Sequence, residues 1–175
     1  MIFIILLSAA AFVLSFIFND FLFRSFELNQ YVSLFFIPSG VRIFFVLVFD
    51  FTGVIGICLG SLLVSLLYLN DVSTDLAFSS ALVAAGAAWA ARWLSVRLLK
   101  LDVDLSRISL LEVMQVCFIF AAISAVSHQV LYFATGVTQD FAAASLSMFA
   151  GDVTGALACL LVARYTVLLI RRQRY

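Results

Sequence analysis

Long apolar runs alternate with short polar breaks along the chain, and each run approaches the about 20 residues that a membrane helix needs. The first runs from Ile2 to about Phe18. No Lys or Arg precedes it and no clear small-x-small site follows, so it is expected to remain as a helix rather than be cleaved as a signal peptide. Asn19 to Gln30 is a polar connection, with Asp20, Arg24 and Glu27 set among phenylalanines, and is expected to lie along the membrane interface. A second helix spans about Tyr31 to Phe49, Asp50-Phe51-Thr52-Gly53 reads as a tight turn, and a third helix continues to about Leu69. After the short loop Asn70 to Asp75, a fourth helix covers about Leu76 to Leu99. The polar loop through Asp102, Asp104 and Arg107 leads to a fifth helix, about Ser109 to Thr135. The sixth, about Asp140 to Ile170, is long enough to tilt or to start in the interface. The pattern predicts an all-α, polytopic membrane bundle of about six transmembrane helices in a single domain, residues 1–175.

One stretch departs from plain membrane filler. Leu34-Phe35-Phe36-Ile37-Pro38-Ser39-Gly40-Val41-Arg42 holds the chain's only proline, then a glycine and an arginine. Inside a helix proline removes a hydrogen bond and leaves the carbonyl four residues back without its partner. In lipid that group must be satisfied within the protein. Helix 2 is therefore expected to break at Pro38, with a kink or unwound turn between Leu34 and Arg42.

Composition agrees with the pattern: 65% of residues are hydrophobic and 11% charged, against roughly 25% charged in soluble domains. Net charge is zero, so nothing points to a nucleic-acid partner. Basic residues cluster at the end of helix 4, in the following loop and at the C-terminus: Arg97, Lys100, Arg107, Arg171, Arg172 and Arg174, against Arg24 in the opposite loops. By the positive-inside rule both termini are expected in the cytoplasm, in a cell's inner membrane. Alanines repeat every four residues in helix 4 (Ala81/Ala85, Ala84/Ala88, Ala87/Ala91), and Gly56 and Gly60 share a face of helix 3, the spacing of close helix packing. Cys58, Cys117 and Cys159 all fall within apolar runs and read as small buried hydrophobes.

Seven ionisable residues lie in or near membrane depth: Arg42, Asp50, Arg92, Glu112, His128, Asp152 and Arg164. Arg92, Arg164, Asp50 and Glu112 fall near the cytoplasmic edge, and His128 near the outer end of helix 5. Arg42 and Asp152 lie deeper. At about 1.5 Å per residue both sit roughly 17 Å below the outer edge, so equal depth and opposite sign make them partners. Asp152 is set in Gly151-Asp152-Val153-Thr154-Gly155, whose glycines permit close approach of another backbone, and Ser145 shares its helix face. Pro38, Ser39, Gly40, Arg42, Ser145, Gly151, Asp152 and Gly155 form the candidate ligand site, suited to a small anionic group because a half-helix N-terminus adds positive charge. A structural ion pair holding two helices in register accounts for the same residues.

Catalysis is not expected. Asp50 and Asp152 invite comparison with paired membrane aspartates that share a proton, but their depths differ by some 12 Å at about 1.5 Å per residue. One histidine and no His/Cys cluster predict no metal site and no cofactor.

Phe35 to Arg42, then Gly53-Val54-Ile55-Gly56-Ile57-Cys58-Leu59-Gly60-Ser61, then Gly151-Asp152-Val153-Thr154-Gly155 resemble, in order, the first class of bacterial membrane-associated sensor domains, over about residues 31–165. The resemblance implies a multi-helix receptor module, usually joined to a cytoplasmic histidine kinase or cyclic-di-nucleotide enzyme. Such modules typically have about eight helices and are fused to their output, so here signalling would pass through a separate membrane or cytoplasmic protein partner. Six helices in this length also resemble the substrate-binding subunit of energy-coupling-factor vitamin transporters. A structural subunit of a larger membrane complex is the third expectation.

Overall fold

The computed structural model describes residues 1–23, 27–29, 32–69, 72–101 and 108–172. Arg24, Asn70, Asp71, Asp102, Asp104, Arg107 and Arg174 of the predicted loops and basic end lie outside the described residues. Five α-helices, α1 (Ile2–Phe23), α2 (Ile37–Leu67), α3 (Thr74–Leu99), α4 (Leu110–Ala134) and α5 (Phe141–Arg172), build the structure, with a two-residue and a three-residue strand between α1 and α2. The strands, β1 (Glu27–Asn29) and β2 (Val32–Ser33), pair antiparallel. All five helices are long and apolar enough to cross a membrane, as a multi-pass membrane protein requires.

The predicted helices 2 and 3 are the two arms of α2, which follow one another without an intervening loop across a kink of non-helical φ/ψ at Asp50. Among the described residues five helical elements stand where six were expected, α2 taking the place of two. Asp50 is the joint. It holds φ 51° and ψ −132°, a left-handed conformation that normally selects glycine at the corner of a tight turn. The chain reverses there. Gly53 is pressed against the backbone of Phe45 and Val46, and the Phe16 ring meets both Phe36 and Tyr68, from opposite ends of α2, at 6.1 and 5.5 Å. The Asp50 carboxylate accepts an ion pair from Arg92 on α3 at 3.1 Å, tying the reversal to its neighbour.

Helix 2 is not broken at Pro38, because it does not begin at Tyr31. It begins at Ile37, and Pro38 lies in its first turn, where the missing N–H has no helical partner to lose. The start is buried, so its free amides need partners from elsewhere. Ile37 donates to Asn19 Oδ1 on α1 at 2.8 Å, Phe36 N donates to the Gly151 carbonyl on α5 at 3.3 Å, and Thr154 Oγ1 donates to the Leu34 carbonyl at 3.2 Å. Non-helical backbone at this depth is tolerated because two other helices satisfy it. The same need explains why α1 runs past Phe18: Asn19 and Asp20, read as the start of a loop, stay helical and take Ile37 N and the Tyr68 hydroxyl (2.6 Å) as partners.

Small residues set the helix spacing. Gly56 and Gly60 on α2 meet Ser8, Ala9 and Phe12 of α1, and Gly40 meets Cys159 and Gly155 of α5. Gly151 and Gly155 in turn lie against the carbonyls of Ser33 and Phe36. The alanine repeat of α3 is buried as packing predicts, with Ala77, Ala81, Ala84, Ala85, Ala88 and Ala91 inside. At the other helix starts, Ser73 accepts from Leu76 N, and Ser109 and Glu112 form a reciprocal capping box.

Gly155→Ala places a methyl into the Phe36 carbonyl and should cost about 1–3 kcal/mol through overpacking. Gly86, with open space where a side chain would go, should tolerate alanine or gain about 0.5–1 kcal/mol. Thermal unfolding of the two variants in detergent checks the contrast; equal behaviour would remove the close α2–α5 contact.

Candidate functional site

The first arm of α2, residues 37–49, runs through the middle of the bundle with Ile43 and Val46 fully buried, and Arg42 is carried in with them at 1% exposure. A guanidinium there requires an anion. Asp152 supplies it from α5, itself 0% exposed, with Oδ1 accepting from Arg42 Nη2 at 3.1 Å. Two phenyl rings flank the cation, Phe36 at 5.4 Å and Phe120 at 5.5 Å, and add cation–π attraction in a site that offers it little water. Ser39, three residues before Arg42, donates to the Asp152 backbone carbonyl at 3.0 Å and holds the two segments in register.

The pair leaves polar capacity over. Among the described residues, Arg42 Nε and Asp152 Oδ2 have no protein hydrogen-bond partner, although the Ser124 hydroxyl of α4 lies near the carboxylate. One strong contact between two fully buried ions, with donor and acceptor sites still empty, is an incompletely satisfied network.

Beside Arg42 lies a cavity of about 60 Å³. Arg42, Ser61 and Ser65 of α2, Ser80 of α3, and His128 and Tyr132 of α4 give it its polar wall, and phenylalanines of α1 close the apolar side. At about 10–15 Å³ per enclosed water it has room for a few waters or one small solute. His128 is 4% exposed, and its Nδ1 stands 2.8 Å from the Ser124 carbonyl. A carbonyl only accepts, so Nδ1 carries the proton and Nε2 is left as the bare nitrogen.

The structure brings Arg42, Asp152 and Ser39 together, packs Gly40, Gly151 and Gly155 beside them, and sets Ser145 apart. Pro38 is a helix-start residue. Gly40, Gly151 and Gly155 are filled contacts between α2 and α5, so the space expected around them is occupied by backbone. Ser145 is two turns before Asp152, about 10 Å along α5, with its own Oγ buried and unpartnered. The space lies on another side of Arg42, towards α3 and α4. Ser61 and Ser65, four residues apart on the second arm of α2, and Ser124, His128 and Tyr132, also at four-residue spacing, were the signal for it.

No protein-family model, curated protein or solved structure matches the chain. The site is therefore read from its own chemistry.

Asp152→Asn leaves a buried guanidinium uncompensated and should cost about 3–5 kcal/mol of stability. Replacing both partners by apolar residues (Arg42→Met with Asp152→Leu) should recover much of that loss. Glu112→Gln, at the exposed start of α4, should change stability far less. Denaturant unfolding in a fixed detergent reads all three; a neutral Asp152→Asn would remove the pair from the fold's requirements.

Proposed function

We propose that the chain is an integral membrane sensory or ligand-binding module with a polar site at mid-depth, centred on Arg42 and Asp152 of α2 and α5, that acts through a separate protein partner. The observation that carries this reading is the buried ion pair with unused hydrogen-bonding capacity beside a polar cavity. A pair kept only for assembly gains nothing from a cavity next to it. The likeness of Phe35–Arg42, Gly53–Ser61 and Gly151–Gly155 to bacterial membrane-associated sensor domains supports the same assignment. The bundle takes up the described residues, so its output passes to a domain or protein outside them, a histidine kinase or cyclic-di-nucleotide enzyme in the first instance.

The vitamin-transporter reading fits less well. Pockets for ligands of that size run to about 300–1,000 Å³, several times the cavity beside Arg42. The structural-subunit reading accounts for the ion pair and the glycine contacts but leaves the cavity unused.

The tagged protein, extracted from native membranes in mild detergent without crosslinking, should retain a kinase or cyclase. Recovery of a paired ATPase engine would replace this reading by the transporter, and recovery within a large multi-subunit assembly would replace it by the structural role.

The membrane is the cytoplasmic one, with both termini inside. The start of α1 and the Asp50 reversal lie at one end of the bundle, since α1 and the second arm of α2 run parallel through Ser8–Gly56 and Phe16–Tyr68. Arg92, Arg97 and Lys100 belong to that same end, the Arg97 guanidinium stacked 4.0 Å from the Trp93 ring centroid in the manner of an interfacial anchor. A reporter fused after Tyr175 should be active only in its cytoplasmic form; a periplasmic signal would invert the orientation.

A further inference from the structure

Resting on the ligand-binding reading above, we infer that the cavity beside Arg42 takes a small monovalent inorganic anion together with one proton, the proton lodging on His128. Size sets the first limit. About 60 Å³ admits a halide or an oxyanion of a few atoms and excludes most organic metabolites. The lining sets the sign. Arg42 presents a guanidinium, and Ser61 and Ser65 present hydroxyls that donate as readily as they accept. Arg42 Nε is buried without a protein partner among the described residues, so the cation has donor capacity beyond its bond to Asp152.

Charge balance sets the proton. Arg42 and Asp152 already sum to zero, so a bare anion would leave one uncompensated negative charge in a water-poor interior, which is costly. A proton arriving with it keeps the total at zero. His128 lines the cavity, and its Nδ1–H is committed to the Ser124 carbonyl, which leaves Nε2 to receive the proton. The other ionisable groups that face it are few among the described residues. Arg42 comes from α2, Asp152 from α5 and Tyr132 from its own helix, with ring centroids 5.9 Å apart, while α3 and α1 line the cavity with Ser80 and with Phe12 and Phe16. Asp152 does not line the cavity and stays the permanent counter-ion of Arg42. The step is an association: an anion enters, one proton leaves water for Nε2, and no covalent bond to carbon changes.

The test uses the full chain in detergent or nanodiscs, titrated calorimetrically with bromide or nitrate replacing gluconate at constant ionic strength. Neither probe takes up a proton itself between about pH 5 and pH 8, so any proton must go to the protein. Binding should be tightest at about pH 5 and weaken about tenfold per pH unit where the free site is unprotonated, with one proton taken up per anion in buffers of different ionisation enthalpy. In His128→Gln the pH dependence and the proton uptake should vanish, with affinity at low pH reduced at least about tenfold. If that variant does not fold, the wild-type slope and proton count decide alone. Binding that is equal at both pH values, or that takes up no proton, overturns the coupling and leaves the ligand-binding reading standing. No binding of either anion at any pH overturns both.

Discussion

A guanidinium held in the middle of an apolar bundle is the constraint around which the other parts are arranged. Arg42 is too deep in the fold to reach water at either end, so the structure must bring an anion to it. Asp152 is on α5, more than a hundred residues away, and reaches Arg42 only because α2 and α5 approach to backbone contact. Gly40, Gly151 and Gly155 allow that approach. The same closeness lets the carbonyl of Gly151 and the hydroxyl of Thr154 satisfy the non-helical backbone before Ile37. Ion pair, glycine contacts and buried helix start are three consequences of one fit between two segments.

That fit also explains the division between what the sequence made legible and what it concealed. Apolar periodicity placed the helices to within a few residues, because the bilayer leaves few alternatives for the backbone. The reversal at Asp50 was readable from a polar residue followed by Thr52-Gly53 between two apolar runs. Counting depth from the outer ends paired Arg42 with Asp152, since buried opposite charges have few other ways to be satisfied. Pro38 misled for a physical reason. The same ring that breaks a helix interior suits a first turn, and Leu34-Phe35-Phe36 looks like helix to any count of hydrophobicity. Whether that stretch is helical depends on Asn19, Gly151 and Thr154 waiting to receive it, which is tertiary information.

The cavity was hidden for a different reason. Serine is common in membrane helices and usually donates to its own helix, as Ser8 and Ser80 do here at 2.6 and 3.1 Å. The four-residue spacing of Ser61 and Ser65 puts them on one face of α2 but does not show what that face meets. Only convergence of three helices upon one volume does so, and helical spacing within a single segment cannot supply it. Gly151 and Gly155 gave the close backbone approach that was expected of them, and the room lies elsewhere. Small residues near a charge suggest room, but in a packed bundle they more often mark where room has been used up by a neighbour's backbone.

Arg42 consequently has two different sides. Towards α5 it meets Asp152 in a contact without slack, because an added carbon at Gly155 or Gly40 would meet backbone. Towards α3 and α4 it meets a space with polar walls. A guanidinium offers five donors in a fixed plane, so a group taken up on the open side cannot leave the closed side unaffected.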